Sequence, residues 1–579
     1  MTVHDVVFRA GTVIDGNGGP PRTADVAIDG DRITEVGRVA GSGRREIDVD
    51  GAVVAPGFVD IHTHYDGQAT WDTRLQPSSW HGVTTVVMGN CGVGFAPALA
   101  EHHDRLIELM EGVEDIPGIA LHEGLAWNWT TFPEYLDALE GRPHDIDFAT
   151  QVPHAALRVH AMGGRAAARE VATDEEVALM AKLAAEAIRA GALGFSTSRT
   201  LNHKSIDGEL TPSYDVRADE LVAIAKAVGQ TGTGVLQVVT DFPDPVEEFA
   251  LLRRLVTESG RPLTVSLAEG GVSGLVPGGE FLHRQVLGML EEAWRDGLPI
   301  RAQVAARSVG LILGLDNTLH PFMANPVWQQ LSQLPADQQA ARMREPSVRA
   351  EILAAHTGAQ DPGRLGGIMV HRYELMYELT DPPNYEPGPS DTIAARAAAA
   401  GVDPVEVAYD ILAGGGMVYL AAVNYGHGNL DAVHEMLSHP HTLPGLSDGG
   451  AHVGTICDAS FPSTLIQHWT RDRDGARLEL PYVIQRQARD TANAVGLLDR
   501  GVLAPGYRAD VNVIDTARMH LHRPEIHHDL PAGGRRMLQR VDGYRYTFVA
   551  GQETYADGEA TDALPGRLIR GAKAAPAGH

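Results

Sequence analysis

The sequence predicts an α/β protein: a (β/α)8 barrel, a small β domain shared between the two chain ends, and a helical insertion before the eighth barrel strand. Three observations predict it. Strand-like and helix-like segments alternate through the middle of the 579 residues, the pattern of a parallel βα architecture. Eight such strands can be counted, at 58–64, 84–89, 147–153, 192–197, 234–239, 262–268, 300–305 and 442–447, the number that closes this kind of barrel. The strands before residue 55 are too few to enclose a core, and further strand-like segments stand after residue 500.

Taken in order, residues 1–55 hold short strands at 6–16, 25–28, 33–36 and 45–49, with a turn at Asp29-Gly30. Their partners are the segments 501–515 and 544–554, inside a C-terminal portion at 499–570. The barrel occupies 56–498. Its clearest helix is 173–188, where Thr173 is an N-cap and Glu176 completes a capping box; 219–228 is another. The interval 306–440 far exceeds a βα unit and carries helical stretches at 325–358 and 391–412, so it reads as a lid or subdomain over the strand ends. The Ala/Gly/Pro-rich tail 571–579 is expected to be disordered.

Composition narrows the function. With 44% hydrophobic and 21% charged residues the chain is globular, and its formal charge of −28 argues against nucleic acid or anionic membrane as partners. Two cysteines, Cys91 and Cys457, make no disulfide framework and suggest a reducing compartment. The first residues lack a secretory pattern, and no apolar run reaches the ~18 residues of a membrane span. The expectation is a cytoplasmic protein acting on a small molecule, with homo-oligomerisation left open.

The chemistry is concentrated at strand ends. Residues 53–66 form an apolar run, broken at Pro56-Gly57, that ends in His62-Thr63-His64. Residues i and i+2 of a strand face the same side about 6.5–7 Å apart, so both imidazoles can approach one metal ion, zinc suiting them best. Cys91, in Gly89-Asn90-Cys91-Gly92, follows strand two; Asp448, in Ser447-Asp448-Gly449-Gly450, ends strand eight, beside strand one in a closed barrel. Singly, a His-x-His pair, a buried cysteine or an aspartate in a turn is more often structural than chemical. Together they converge on one end of one barrel. Water made acidic by a metal there could attack a carbonyl, with Asp448 taking its proton and passing it to the leaving nitrogen.

The run Ala55-Pro-Gly-Phe-Val-Asp-Ile-His-Thr-His64 resembles the first barrel strand of the amidohydrolase superfamily. Gly89-Asn-Cys-Gly-Val-Gly-Phe-Ala-Pro97, Glu114-Asp-Ile-Pro117, Asn128-Trp129, Phe132-Pro-Glu-Tyr-Leu136, Gly191-Ala-Leu-Gly-Phe-Ser-Thr197 and the ending Thr561-Asp-Ala-Leu-Pro-Gly-Arg-Leu-Ile-Arg570 narrow the resemblance to N-acyl-D-amino-acid deacylases. It implies that the two terminal portions build one β-sandwich. It also implies a cysteine bridging two metal positions, one shared with the His-x-His pair and the other with histidines on strands five and six, and a catalytic aspartate on strand eight.

Strand five, Gly234-Val-Leu-Gln-Val-Val-Thr-Asp241, and strand six, Pro262-Leu-Thr-Val-Ser-Leu-Ala-Glu269, contain no histidine. The strand-six ligand position aligns with Leu267, and the family's carboxylate-binding lysine with Glu269; no arginine lies in 452–462. One zinc ion per chain is therefore expected, other divalent metals being an alternative, held by His62, His64, Cys91 and Asp448. His154, Ser196, Arg199, His203, Glu269 and His452 are candidate substrate contacts; Lys204 and Arg307 are further cations that could replace the missing anchors. The reading is a metal-dependent hydrolase of a C–N amide bond in an N-acyl-D-amino acid or related compound. Two alternatives are a hydrolase of a cyclic or neutral amide (a hydantoin, imide or lactam) and a barrel that has lost catalysis and acts as a scaffold.

Overall fold

Each apolar run counted above becomes a short strand that is buried almost throughout, as parallel strands covered on both faces must be. The computed structural model describes residues 2–270, 281–361 and 366–577. The barrel strands are Phe58–Asp60, Val83–Met88, Asp147–Pro153, Gly194–Arg199, Val235–Thr240, Leu263–Leu267, Ile300–Val304 and Thr442–Pro444. Each pairs in parallel with the next in chain order. First and last meet just beyond their strand ends: Thr63 bridges Gly449 in parallel, the Asp448 N–H donates to His62 O at 3.1 Å and the His64 N–H to Gly449 O at 2.8 Å. This is the (β/α)8 barrel expected.

The outer helices follow the predicted signals. Asp174–Ala190 is capped by Thr173 and Glu176 in a reciprocal capping box, and Ala218–Gly229 packs beside it. Both present an apolar stripe to the barrel, including Met180, Ala184 and Ile188 on the first and Leu221, Ile224 and Val228 on the second.

Strands from both ends of the chain share one nine-stranded sheet. Val53–Pro56 pairs in parallel with Val3–Val13 and antiparallel with Val511–Ile514, so the N-terminal portion is completed from the far terminus. Ser42–Asp48 pairs with Val3–Val13 away from the main path. It folds back over the C-terminal strands: Arg45 stacks 5.7 Å from the Phe548 ring and pairs with Glu553, and Phe8 meets Phe548 edge-on at 5.1 Å. The result is two layers around a core of Val6, Phe8, Ile28, Ile47, Val54 and Val511.

The insertion has its own core, with Phe322, Trp328, Ile352, Tyr409 and Leu412 at its centre. Its helices include Pro346–Ala354, inside the predicted range 325–358, and Pro404–Ala413, which ends one residue past the predicted 391–412. It also holds a three-stranded antiparallel sheet, Val309–Leu313, Met417–Val423 and Met376–Leu379, which the helical reading does not contain. These strands are short and buried, so their pattern cannot be told from that of a core helix.

The tail is hydrogen-bonded at its start. The Gly571 N–H donates to Gly191 O at 2.8 Å, the Lys573 N–H to Gly496 O at 2.9 Å, and Lys573 O accepts from Leu498 at 2.9 Å. These bonds tie residues 571–573 to the segments around Gly191 and Gly496; residues 578 and 579 lie outside the described ones. Among the described residues, no helix is long and apolar enough to cross a membrane.

Candidate metal centre

His62 and His64 leave the end of strand one on the same side, with ring centroids 5.6 Å apart. Cys91 is brought to them by a tight turn after strand two, where it adopts a left-handed φ of 56°. Gly89 and Gly92 allow that turn. Added Cβ atoms would stand 2.3 Å from Gln151 O and 2.9 Å from Thr197 Cα. Asp448 (φ 49°) and His452 (φ 51°) are also left-handed and come from the segment after strand eight. Non-glycine residues held in this region cluster where a site over-determines the backbone.

The donor atoms converge. His62 Nε2 lies 3.2 Å from Cys91 Sγ and 3.4 Å from Asp448 Oδ1, while His64 Nε2 lies 3.7 Å from the same oxygen. Ligands of a tetrahedral zinc stand roughly 3.3–3.8 Å from one another. The ligand atoms of His62, His64 and Cys91 lie within 4.8 Å of one another. His64 Nε2 and Asp448 Oδ1 are buried with no hydrogen-bond partner among the described residues, an arrangement that is costly unless something else satisfies them. The donor set and its unsatisfied atoms fit a metal ion.

Each outer ring nitrogen faces a polar partner. His62 Nδ1 meets Gln303 Oε1 at 2.7 Å, and His64 Nδ1 faces Glu114 Oε1 at 3.2 Å. Both imidazoles are thus oriented with Nε2 toward the shared centre, as ligating histidines usually are. Gln303 belongs to a polar layer from the odd-numbered strands, with His62, Gln151 and Gln237. Gln237 Oε1 accepts the Cys91 N–H at 3.1 Å, and Gln151 donates to Asn90 at 2.8 Å.

Electrostatics follow from burial and from the crowd of carboxylates. Burial lowers His62 to about 4. It acts the same way on His64, but Glu114 and Asp448 outweigh it and raise that ring to about 9. Burial raises Glu114 to about 8 and, with Glu114 and Asp448 adding to it, pushes the Cys91 thiol well above its usual value. Asp448 resists burial because His64, His62 and His452 surround it; its carboxylate is held ionised, well below the ordinary range.

Glu114 is a site residue that sequence reasoning does not single out for a role. It is 1% exposed and lies 3.5 Å from His452 Nε2 as well as against His64. A signal exists: Ile107, Met110 and Glu114 share one face of the helix His103–Glu114, so a carboxylate continues its apolar stripe.

A cavity of about 300 Å³ opens from His62, Cys91 and Asp448 toward the insertion. His203 and His452, two of the candidate substrate contacts, line it. His203 is fixed by Ser198 Oγ at 2.7 Å and kept neutral by burial, near 3. The rest of the wall is largely apolar, with Val239, Leu311, Ile368 and Leu446 among its members. Arg372, from the insertion, is the one arginine or lysine among the described residues lining it.

Four candidate substrate contacts do not reach this cavity. Ser196 Oγ accepts the Gly92 N–H at 3.0 Å and donates to Gly89 O at 2.5 Å, bracing the cysteine turn. Arg199 pairs with Glu248 at 2.5 Å. Glu269 turns to the insertion, accepting the Gly426 N–H at 2.9 Å. His154 bonds Thr197 at 2.9 Å and Glu220 at 3.0 Å. Arg307 is likewise occupied, by Asp458 at 2.8 Å. The strand-six alignment also shifts: Ser266 and Ala268 line the cavity, so Leu267 between them faces outward.

His154 and Arg158 instead hold the buried Glu220, and a stability prediction follows. Burial would raise this carboxyl, but hydrogen bonds from His154 and Arg158 prevail and bring it to about 2. Its contribution is complete above its unfolded value of 4.5 and is lost as pH falls toward 2. Glu220→Gln should destabilise the barrel by roughly 3–5 kcal/mol, because Arg158 is left buried without its carboxylate. It should also flatten the acid limb of stability. Denaturant unfolding at pH 7 and pH 3 reads both effects, and an equal loss at the two pH values would contradict the assignment.

The (β/α)8 barrel thus gathers His-x-His, cysteine and aspartate at its strand ends, a donor set suited to a metal-dependent hydrolase. The amidohydrolase family profile matches residues 45–555, and the chain belongs to that family. It is a hydrolase acting on carbon–nitrogen bonds other than peptide bonds. D-aminoacylase of Alcaligenes xylosoxydans xylosoxydans is 39% identical over 194 residues, 33% of this chain and 37% of that protein's length. N-acyl-D-aspartate deacylase of the same organism is 28% identical over 590 residues, covering 99% and 96%. The crystal structure of N-acyl-D-glutamate deacylase from Bordetella bronchiseptica, complexed with zinc and a phosphonate inhibitor, superposes with a TM-score of 0.62 at 22% identity, over 98% of this chain and 100% of that one.

Proposed function

We propose that the chain hydrolyses the amide bond of an N-acyl-D-amino acid or a closely related N-acyl compound, with one zinc ion held by His62, His64, Cys91 and Asp448. The observation that carries this reading is the convergence of buried, unsatisfied His64 Nε2 and Asp448 Oδ1 on Cys91 and His62. The relatives that are deacylases of N-acyl-D-amino acids support the substrate class. Zinc in this position supplies a Lewis acid that polarises a carbonyl and lowers the pKa of water. The remaining work belongs to the chain. Asp448 accepts a proton from the attacking water and returns it to the leaving nitrogen. Gln303 and Glu114 keep the imidazoles in place, and the apolar cavity wall limits solvent around the carbonyl.

The inward positions on strands five and six are Gln237, Val239, Ser266 and Ala268, none of them a strong zinc ligand. This supports one ion and not two. Metal analysis of protein purified without chelator should find about one zinc per chain; two firmly bound ions would refute the single-ion count, and a metal-free, inactive protein would favour the scaffold. A second reading, a cyclic or neutral amide as substrate, is favoured by the largely apolar wall, in which the one arginine or lysine among the described residues, Arg372, is already paired with Glu374. Turnover of N-acyl-D-amino acids, their L enantiomers, their carboxamides and cyclic amides, compared on the zinc-loaded protein, separates the two.

A further inference from the structure

Asn424 stands immediately after the insertion strand Met417–Val423, at the cavity wall, and is 3% exposed. Its Oδ1 accepts the Glu269 backbone N–H at 2.8 Å. That bond fixes which end of the amide is which, so Nδ2 must be the other end, a donor. Nδ2 is buried and has no hydrogen-bond partner among the described residues. Ser266, on barrel strand six and also lining the cavity, has a buried Oγ in the same condition. Two unpartnered polar groups in a largely apolar wall are expensive in an empty protein and useful in an occupied one.

We propose that Asn424 is a substrate-binding residue whose side-chain N–H donates to an acceptor oxygen, carbonyl or carboxylate, of the acyl compound in the cavity. The inference rests on the proposed amide hydrolysis and names a contact for it. It also gives Glu269 a purpose. The Glu269 carboxylate accepts the Gly426 N–H at 2.9 Å and pairs with His427 at 3.3 Å. Its backbone holds Asn424. An acidic residue at the end of strand six therefore clamps the insertion segment 424–427 to the barrel and aims a neutral donor at the cavity.

A purely structural account of Asn424 is available: its φ is 64°, a conformation asparagine tolerates. Asn424→Asp separates the two. Aspartate also tolerates that φ, and one carboxylate oxygen can keep the Glu269 bond, but the donor becomes an acceptor. The zinc-loaded variant should show KM raised 10-fold or more on the best wild-type substrate, with kcat within about 3-fold and zinc content unchanged; tenfold is about 1.4 kcal/mol. Asn424→Gly, which keeps the backbone conformation and removes the side chain, should raise KM in the same direction and guards against a folding failure in the first variant. Comparing an N-acyl-D-amino acid with its carboxamide identifies the oxygen: a larger loss on the acid assigns the carboxylate, equal losses the acyl carbonyl. Wild-type KM in Asn424→Asp overturns the inference while leaving amide hydrolysis intact. Absence of turnover by wild type across the amide panel overturns the proposed function, and this inference with it.

Discussion

Asp448→Asn is expected to lower kcat by roughly 10²–10⁴-fold while the fold and most of the zinc remain. The loss corresponds to about 3–5 kcal/mol of transition-state stabilisation, at 1.36 kcal/mol per tenfold. Asparagine is nearly the same size and tolerates the left-handed φ of 49° as well as aspartate does. The Asp448 N–H to His62 O bond at 3.1 Å is a backbone contact and survives the change. What disappears is a carboxylate held ionised by three neighbouring imidazoles and able to take and return one proton. Substrate binding should change little, so kcat and kcat/KM fall together. Near wild-type turnover by Asp448→Asn would remove the proposed acid–base step, whatever the metal content.

The double substitution His62→Ala, His64→Ala should abolish both zinc binding and activity. It removes two of four proposed ligands and leaves Cys91 with a thiol that burial keeps protonated, whereas the ligand form is the thiolate. Secondary structure should persist. Both imidazoles sit in the site and not in a packed apolar cluster, and strands one and eight remain joined through the Thr63 and Gly449 backbones. Metal content by elemental analysis, circular dichroism and turnover together check this expectation. Retention of stoichiometric zinc in the double variant would show that the metal, if present, is held elsewhere.

Much of the architecture is legible in the sequence because it is written in local patterns. Eight apolar runs bounded by turn residues give eight strands, and Thr173 with Glu176 marks a helix start. The centre is legible for the same reason: His62, His64, Cys91 and Asp448 each follow a recognisable strand end. What escapes is pairing over distance. Arg199 and His154 read as site residues because they too follow strand ends, yet their partners Glu248 and Glu220 arrive from helices later in the chain and withdraw them. Glu114 reads as one more residue of an amphipathic helix, since nothing local says that its end abuts His64. Asn424 and Arg372 belong to an insertion whose short buried strands have no distinctive periodicity. Their position over the cavity comes from the folded insertion, Asn424 directly after one strand of its sheet and Arg372 shortly before another.

The sheet shared by the two termini bears on how the chain is made. Val53–Pro56 offers one edge to Val3–Val13 and the other to Val511–Ile514. During synthesis the first edge is covered within moments, while the second waits for the whole barrel and insertion to leave the ribosome. At about 5–20 residues per second that is on the order of half a minute to a minute and a half. An uncovered apolar strand edge is a template for pairing with other chains. The nascent protein is therefore most vulnerable to self-association before its last strands arrive, and truncation ahead of Val511 should yield aggregated material even though every residue of the metal centre is present.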